Sequence, residues 1–255
     1  MTVRSFVHEG IRHVRISHPG RGTVVVERGP RDDAVEGSWS CTDLDVLDQI
    51  GVNADSDTLR IAFPPRARAA GHLRLGVPEG LTYVVEVAAV DVALRVPAGS
   101  VRVTSGSGEV SLAVVTDLVV KDGSGDVAVD EVAGRAARVE TGSGEVRIGR
   151  TRGRLTLKSG SGDVHVGEVH GVEVSASTGS GDIAVPSTAG AVDLRTASGS
   201  ITVGVADGLP AWLDLHAATG AVRIALEASD PPARGEPYAS VRARTGSGEI
   251  AVYRA

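Results

Sequence analysis

The chain has 255 residues, a net charge of −6 and 42% hydrophobic residues, so it can bury the core of one elongated domain or two ordinary ones. Its apolar residues are mostly Val, Ala, Leu and Ile, and its 33 glycines favour strands and tight turns over helices. The sequence has no block of basic residues that would indicate nucleic-acid binding. Because Cys41 is the single cysteine, an intrachain disulfide framework and a Cys-based zinc site are excluded.

The first 96 residues carry strand patterns that recur at no fixed interval. Alternation of apolar and polar residues predicts strands at residues 11–17, 23–27, 58–63, 73–77 and 83–96. Residues 42–50 predict one short helix with Thr42 or Asp43 as its N-cap. The N-terminus lacks the apolar run of a signal peptide, and no stretch reaches the roughly 18 apolar residues of a membrane-spanning helix. We therefore expect a cytoplasmic location without membrane insertion.

A five-residue motif, Gly-Ser-Gly-acid-aliphatic, dominates the rest of the chain. Complete copies begin at Gly106, Gly123, Gly142, Gly160, Gly179 and Gly246. Two degenerate copies, which keep only part of the motif, begin at Ala197 and Ala218. The first five starts are separated by 17, 19, 18 and 19 residues. A fixed period of this length is typical of solenoids, in which each repeat stacks on the next.

Aliphatic residues alternate on both sides of each motif. Val146 and Ile148 follow one copy, for example, and Leu155 and Leu157 precede the next. Around the degenerate copy at Ala218, the same alternation predicts that four residues are buried: Leu213, Leu215, Val222 and Ile224. Period two predicts strands with one buried face, and strands one coil apart run in the same direction. The predicted fold class is all-β, a parallel β-solenoid with coils of about 18–19 residues. An antiparallel sandwich of hairpins is the rival interpretation, because Gly-Ser-Gly can also form hairpin turns.

We predict a single β-solenoid domain over residues 1–255. Residues 1–96 form degenerate N-terminal coils and a cap, residues 97–224 the regular repeats, and residues 225–255 a Pro-rich insertion and a C-terminal coil. Each strand is expected to pair with its equivalent one coil later. The insertion, residues 227–238, should loop over the C-terminal end, because its prolines discourage strand pairing.

The acid of each motif would lie in a row once the coils stack. The row comprises Glu109, Asp126, Glu145, Asp163, Asp182 and Glu249. Like charges opposite each other destabilise a sheet, so either Ca²⁺ or solvent, salt and nearby cations must relieve the repulsion. The first five of these acids are therefore candidate metal ligands, and a solvated row is the alternative.

The sequence carries no catalytic motif. The Gly-Ser-Gly element is followed by neither the further glycines of a dinucleotide-binding loop nor the lysine of a P-loop. GxSxG and HExxH are absent, and the seven histidines are scattered, with His8, His13 and His18 at a spacing that fits no ligand pattern. We therefore predict no catalytic residue and no cofactor, and interpret Cys41 as a small buried hydrophobe.

The repeats resemble those of the bacterial putative-adhesin family of β-strand-repeat domains of unknown function. The resemblance rests on the GSG[DE][VI]x[VI] motifs from Gly106 to Val185 and on the Val-Pro-x-Gly segments at residues 77–80 and 96–99. It implies a right-handed parallel β-solenoid with no assigned catalytic activity, and it transfers no binding residue.

The unbroken repeats and the missing catalytic constellation predict a non-enzymatic scaffold or interaction module. Its partner would be another protein or further copies of this chain, and not nucleic acid. Two alternatives stay open: a β-helix that binds or processes carbohydrate or another ligand in a groove, and Ca²⁺ binding along the acid row.

Overall fold

The computed structural model describes residues 2–41, 43–64, 70–170, 173–227 and 236–255. Within these ranges the chain is an all-β parallel solenoid with one short helix, which confirms the predicted fold class. It divides into two compact units, Met1–Val129 and Asp130–Ala255, with β10 (Val127–Val132) at the division.

The residues of the first unit that the structure describes form nine complete strands and the helix. They are β1 (Thr2–Glu9), β2 (His13–Arg28), β3 (Ala34–Cys41), α1 (Leu44–Leu47), β4 (Gly51–Asp55), β5 (Thr58–Ala62), β6 (Ala70–Val77), β7 (Thr82–Leu94), β8 (Ala98–Ser105) and β9 (Val110–Asp122). The predicted helix is present but shorter. Asp43 caps it by accepting a hydrogen bond from the Asp45 N–H at 3.0 Å, while Thr42 lies outside the described residues.

Strand β2 lies inside the stack of the first unit although it comes early in the chain. It pairs in parallel with β5 and β6 on one side and with β7 on the other. Strand β7 continues the stack through β8 and β9. On the far side, β4 and β3 pair antiparallel with β5 and β6, and β1 pairs antiparallel with β3. Antiparallel strands therefore cover the outer coil of this unit.

The second unit consists of two parallel ladders. One contains β11 (Ala136–Thr141), β13 (Arg154–Ser159), β15 (Glu173–Ser180), β17 (Ala191–Ser198), β19 (Ala211–Thr219) and β21 (Ala239–Ser247). The other contains β12 (Val146–Thr151), β14 (Val164–Val169), β16 (Ile183–Thr188), β18 (Ile201–Val205), β20 (Val222–Ala225) and β22 (Ile250–Arg254). Each coil supplies one strand to each ladder, and the aliphatic side chains of both fill the space between them.

The stacking order departs from the sequence order at the end of the second unit. Strand β17 pairs with β21, and β21 then pairs with β19; β18, β22 and β20 follow the same order. The prediction that every strand pairs with its equivalent one coil later is therefore wrong here. The connection of 13 residues between β20 and β21 is long enough for the chain to return, and β21 brings the intact motif that continues the stack. The predicted position of residues 227–238 over the C-terminal end falls largely on 228–235, outside the described residues.

Burial follows the predicted alternation in most coils. Val146, Ile148, Leu155 and Leu157 are at most 1% exposed. The coil formed by β19 and β20, residues 211–225, is the exception, and we call it the open coil. Leu213 and Leu215 are only half-buried, and Val222 and Ile224 are 43% and 54% exposed, so their predicted burial is wrong. Strands β19 and β20 pair on one side only among the described residues, which leaves the core positions of the open coil uncovered.

Candidate functional site

The second glycine of each motif stands directly on the carbonyl group of the neighbouring coil. A Cβ at Gly162 would lie 2.0 Å from the Gly144 oxygen, and one at Gly199 would lie 2.1 Å from the Gly181 oxygen. Gly199 also has a φ of 150°, which side-chain-bearing residues rarely adopt. The glycines are therefore required for stacking, and their carbonyl and amide groups face other coils instead of a ligand.

A buried polar residue precedes seven of the eight motif copies, all but the one at Ala218, and the sequence analysis did not single it out. The row comprises Ser105 and Asp122 in the first unit and Thr141, Ser159, Thr178, Thr196 and Thr245 in the second. Three of the threonine hydroxyls donate to the carbonyl oxygen of a second glycine one coil away: Thr178 to Gly162 at 3.1 Å, Thr196 to Gly181 at 3.0 Å and Thr245 to Gly199 at 2.8 Å. These hydroxyls supply partners for carbonyl groups that the turn removes from the regular ladder.

The acid row is used largely for turn stabilisation in the second unit. The Asp163 carboxylate accepts a hydrogen bond from the Asp182 N–H at 2.8 Å, and the Asp182 carboxylate accepts one from the Ser200 N–H at 2.7 Å. Each aspartate thus bonds the backbone of the next coil, as an N-cap residue bonds a free N–H group.

Two glutamates of the row, Glu145 and Glu249, form ion pairs instead. Glu145 contacts Arg147 at 2.8 Å, and Glu249 contacts Arg223 of the open coil at 2.8 Å. In the first unit, the Glu109 N–H donates to Asp91 at 3.0 Å, and Asp126 occupies the equivalent motif position one coil later. Among the described residues, no group of three or more His, Cys, Asp or Glu side chains is arranged to hold a metal ion.

Charged side chains pair across coils on the flank of the second ladder. Arg150 contacts Glu131 and Glu168, each at 3.2 Å, and Glu168 also contacts His170 at 3.1 Å. The hydrogen bond from His170, followed by the hydrogen bond and the charge of Arg150, lowers the pKa of Glu168 below its ordinary value. This flank is therefore a neutralised network on an exposed sheet surface.

One histidine of the first unit is fully buried. The His18 ring stacks on Phe63 with centroids 3.9 Å apart, and its Nδ1 accepts from the Gly20 N–H at 3.3 Å. Its Nε2 lies 3.2 Å from the Gly71 carbonyl oxygen, so the neutral tautomer protonated at Nε2 satisfies both contacts. Burial lowers the pKa of His18, and the hydrogen bonds of its ring with the backbone of Gly71 and of His18 itself offset this only in part. The residue is a neutral core group.

Two concave regions of the first unit flank strand β3. One, of about 430 Å³, is lined by Phe6, Glu27, Arg28, Glu36 and Arg74 among others, and the other, of about 440 Å³, by Trp39 and His72. Glu27 and Arg74 form an ion pair at 3.8 Å. The two concave regions thus bring aromatic and charged side chains together beside the regular coils.

The open coil departs from the regular surface of the second unit. Trp212, on the outward face of β19, is 49% exposed, and Val222 and Ile224 of the same coil are uncovered. In the adjacent coil, Ile250 and Val252 pair with these two residues and are at most 1% exposed. An apolar, singly paired strand edge of this kind is typical of an interaction surface.

Comparison with known proteins places the repeats in a family. The profile of the Toastrack DUF4097 family matches residues 53–253, most of the chain. The chain belongs to the Toastrack DUF4097 family. The resemblance to a repeat family of unknown function is thereby confirmed. No curated protein matches the chain.

Solved structures with a similar strand arrangement are described as putative adhesins. One from Bacteroides fragilis is 12% identical, with a TM-score of 0.49 over 98% of this chain and 97% of that chain. One from Parabacteroides merdae is 7% identical, with a TM-score of 0.44 over 98% and 95%. One from Parabacteroides distasonis is 10% identical, with a TM-score of 0.40 over 98% and 97%.

The Toastrack match begins at Asn53 in β4 and extends to Tyr253 in β22. It includes the open coil and the acid row, while β1 to β3 lie outside it. The concave regions beside β3 are therefore built partly from residues that the family profile does not cover. No helix in the described part of the chain is long and apolar enough to cross a membrane.

Proposed function

We propose that this Toastrack protein is a non-enzymatic interaction module: a single β-solenoid domain that binds a protein partner through the open coil. The observation that carries the proposal is the exposure of Val222 and Ile224 at positions that are buried in the other coils, together with the exposure of Trp212 on the outward face of the same coil. Exposed apolar residues on a singly paired strand edge favour the addition of further strands.

The chemistry of the remaining surface supports a binding role over catalysis. The motif acids repeat with the fold and accept backbone hydrogen bonds or pair with arginines. A catalytic site would instead need acids, bases or nucleophiles that depart from the repeat in one place. The ion-paired flanks present a regular polar surface, and the open coil supplies the apolar contact area.

Site-specific cross-linking in the host cell tests this proposal. A photoreactive phenylalanine analogue at Trp212 should give a covalent adduct with a discrete protein, whereas the same analogue at Lys121, an exposed residue of β9, should not. An adduct at neither site, or equal adducts at both, would contradict binding through the open coil.

A second candidate function, binding of a carbohydrate or another polar ligand, is favoured by one observation. Phe6 and Arg74 flank the 430 Å³ concavity beside β3 together with Glu27 and Glu36. An aromatic face with charged groups can hold a sugar ring. A glycan array should then show binding that Arg74→Ala removes and the exposed-surface variant Lys121→Ala retains. Absence of any glycan signal would remove this candidate.

A further inference from the structure

The two ends of the strand stacks are finished differently. In the first unit, antiparallel β3 and β4 cover the outer coil formed by β5 and β6. In the second unit, β19 and β20 pair on one side only among the described residues. Solenoids need polar capping elements at their ends, because an uncapped parallel edge accepts further strands. The open coil is therefore incomplete as a surface in contact with water.

The open coil is complementary to itself. If two copies of β19 pair antiparallel about Leu215, Leu213 lies opposite Ala217 and Asp214 lies opposite His216. In this register, odd-numbered residues lie opposite odd-numbered residues and even-numbered opposite even-numbered. The inward apolar face of β19 therefore continues from one copy to the other, and so does its outward polar face. No two like charges lie opposite each other in this register.

Charges on the neighbouring strand favour the same register. Asp214 contacts Arg242 at 3.0 Å and Arg244 at 3.4 Å on β21, while His216 lies beside Arg244. Along the stack, Asp193, Arg242 and Asp214 alternate in sign. A second copy would place its His216 beside Asp214, and its Asp214 beside His216 at the end of the column Arg195, Arg244 and His216, so a carboxylate faces an imidazole in both columns.

From these observations we propose that two copies of the chain dimerise through their open coils, β19 on β19 and β20 on β20, about a two-fold axis. The inference rests on the proposed interaction role of the open coil and names its partner as a second copy. A two-fold junction closes on itself, so assembly stops at the dimer. Val222 and Ile224 become buried in it.

The size of the surface sets the expected affinity. A nine-residue strand is roughly 30 Å long, so the open coil and its partner would bury on the order of 1,000 Å² in total. This is at the lower end for specific complexes and corresponds to a weak dimer. We expect a dissociation constant on the order of micromolar.

Sedimentation velocity of the full chain from low to high micromolar concentration tests the proposal. Wild type should pass from monomer to dimer without larger species. The double variant Val222→Lys/Ile224→Lys should weaken dimerisation about 100-fold, because like charges then face each other in the junction. The matched control Val7→Lys changes an equally exposed valine, 52% exposed on the edge strand β1, and should dimerise like wild type.

A cysteine placed on the two-fold axis provides an independent readout. Leu215→Cys should form a covalent dimer on oxidation, because directly opposed residues lie within disulfide distance. Ala217→Cys should not, since the two copies of residue 217 would be roughly 13 Å apart. Cys41 is 1% exposed and does not interfere. Circular dichroism melting of each variant checks that the fold is retained.

Three outcomes would overturn the dimer: wild type that stays monomeric at all concentrations, loss of dimers in Val7→Lys instead of the lysine double variant, or growth of oligomers beyond the dimer. A monomer that still cross-links to another protein through position 212 would refute self-association and leave the proposed interaction function standing. Failure of both experiments would remove the function itself.

Discussion

The stacked glycines predict a large steric penalty for a single methyl group. Gly162→Ala would place a Cβ 2.0 Å from the Gly144 carbonyl oxygen, whereas ordinary contact begins at 3.4 Å. The two coils must therefore separate locally by about 1.4 Å. Three backbone hydrogen bonds cross between these coils nearby, from the N–H groups of Gly160, Ser161 and Val146 to Thr141, Gly142 and Asp163, at 2.9–3.1 Å.

Such a separation breaks these three bonds. At about 1 kcal/mol each, their loss costs about 3 kcal/mol. For a chain of this size, this lowers Tm by roughly 6–12 °C. Differential scanning calorimetry of wild type and Gly162→Ala measures the change, and urea unfolding gives the free energy directly.

Gly208→Ala is the control that separates crowding from backbone conformation. Gly208 has a φ of 75°, and nothing lies within 4 Å of an added Cβ, so it carries only the cost of a left-handed residue, about 1–2 kcal/mol. If Gly162→Ala is no more destabilising than Gly208→Ala, the coils do not stack at the register described and the reasoning fails.

Substitutions at three further residues test the polar groups. Thr178→Val removes the donor to the Gly162 carbonyl and should cost about 1–3 kcal/mol in urea unfolding, while Thr178→Ser should retain most of the stability. Asp182→Ala leaves the Ser200 N–H without its acceptor and should cost about 1 kcal/mol, equally with and without calcium, whereas Asp182→Asn should cost less. A calcium-dependent loss would restore metal binding at the acid row. His18 has a lowered pKa, so the unfolded chain binds its proton more readily, and stability should fall as pH decreases below about 6.5. His18→Phe keeps the ring contact and should remove that part of the pH dependence; an unchanged profile would contradict the neutral assignment.

The regular coils could be predicted because their signals are local. Alternation at Val164 and Val166 and the glycine corner at Gly162 follow from a strand period of two and from the absence of a side chain. The buried polar row was also within reach. Thr178 lies two residues after the buried Ala176, on the same inward face, so its hydroxyl required a partner.

The pairing of the first and last strands could not be predicted from the sequence in the same way. Eight similar repeats offer near-equal pairing partners, and the choice of β21 over β19 as the neighbour of β17 depends on non-local contacts. The local difference is small: residues 245–248 at the end of β21 read Thr-Gly-Ser-Gly, whereas the equivalent residues 217–220 at the end of β19 read Ala-Ala-Thr-Gly. The antiparallel pairing of β3 with β6 likewise leaves no mark on the alternation of either strand.

The swapped order of the last two coils has a consequence for synthesis on the ribosome. Strands β19 and β20 emerge before β21 and β22, yet their only described pairing partners are those later strands. Until residues 239–254 have been translated, β19 and β20 lack the strands with which they pair in the finished structure. This part of the stack therefore cannot form vectorially from the N-terminus, and the last strands to be synthesised are inserted between earlier ones.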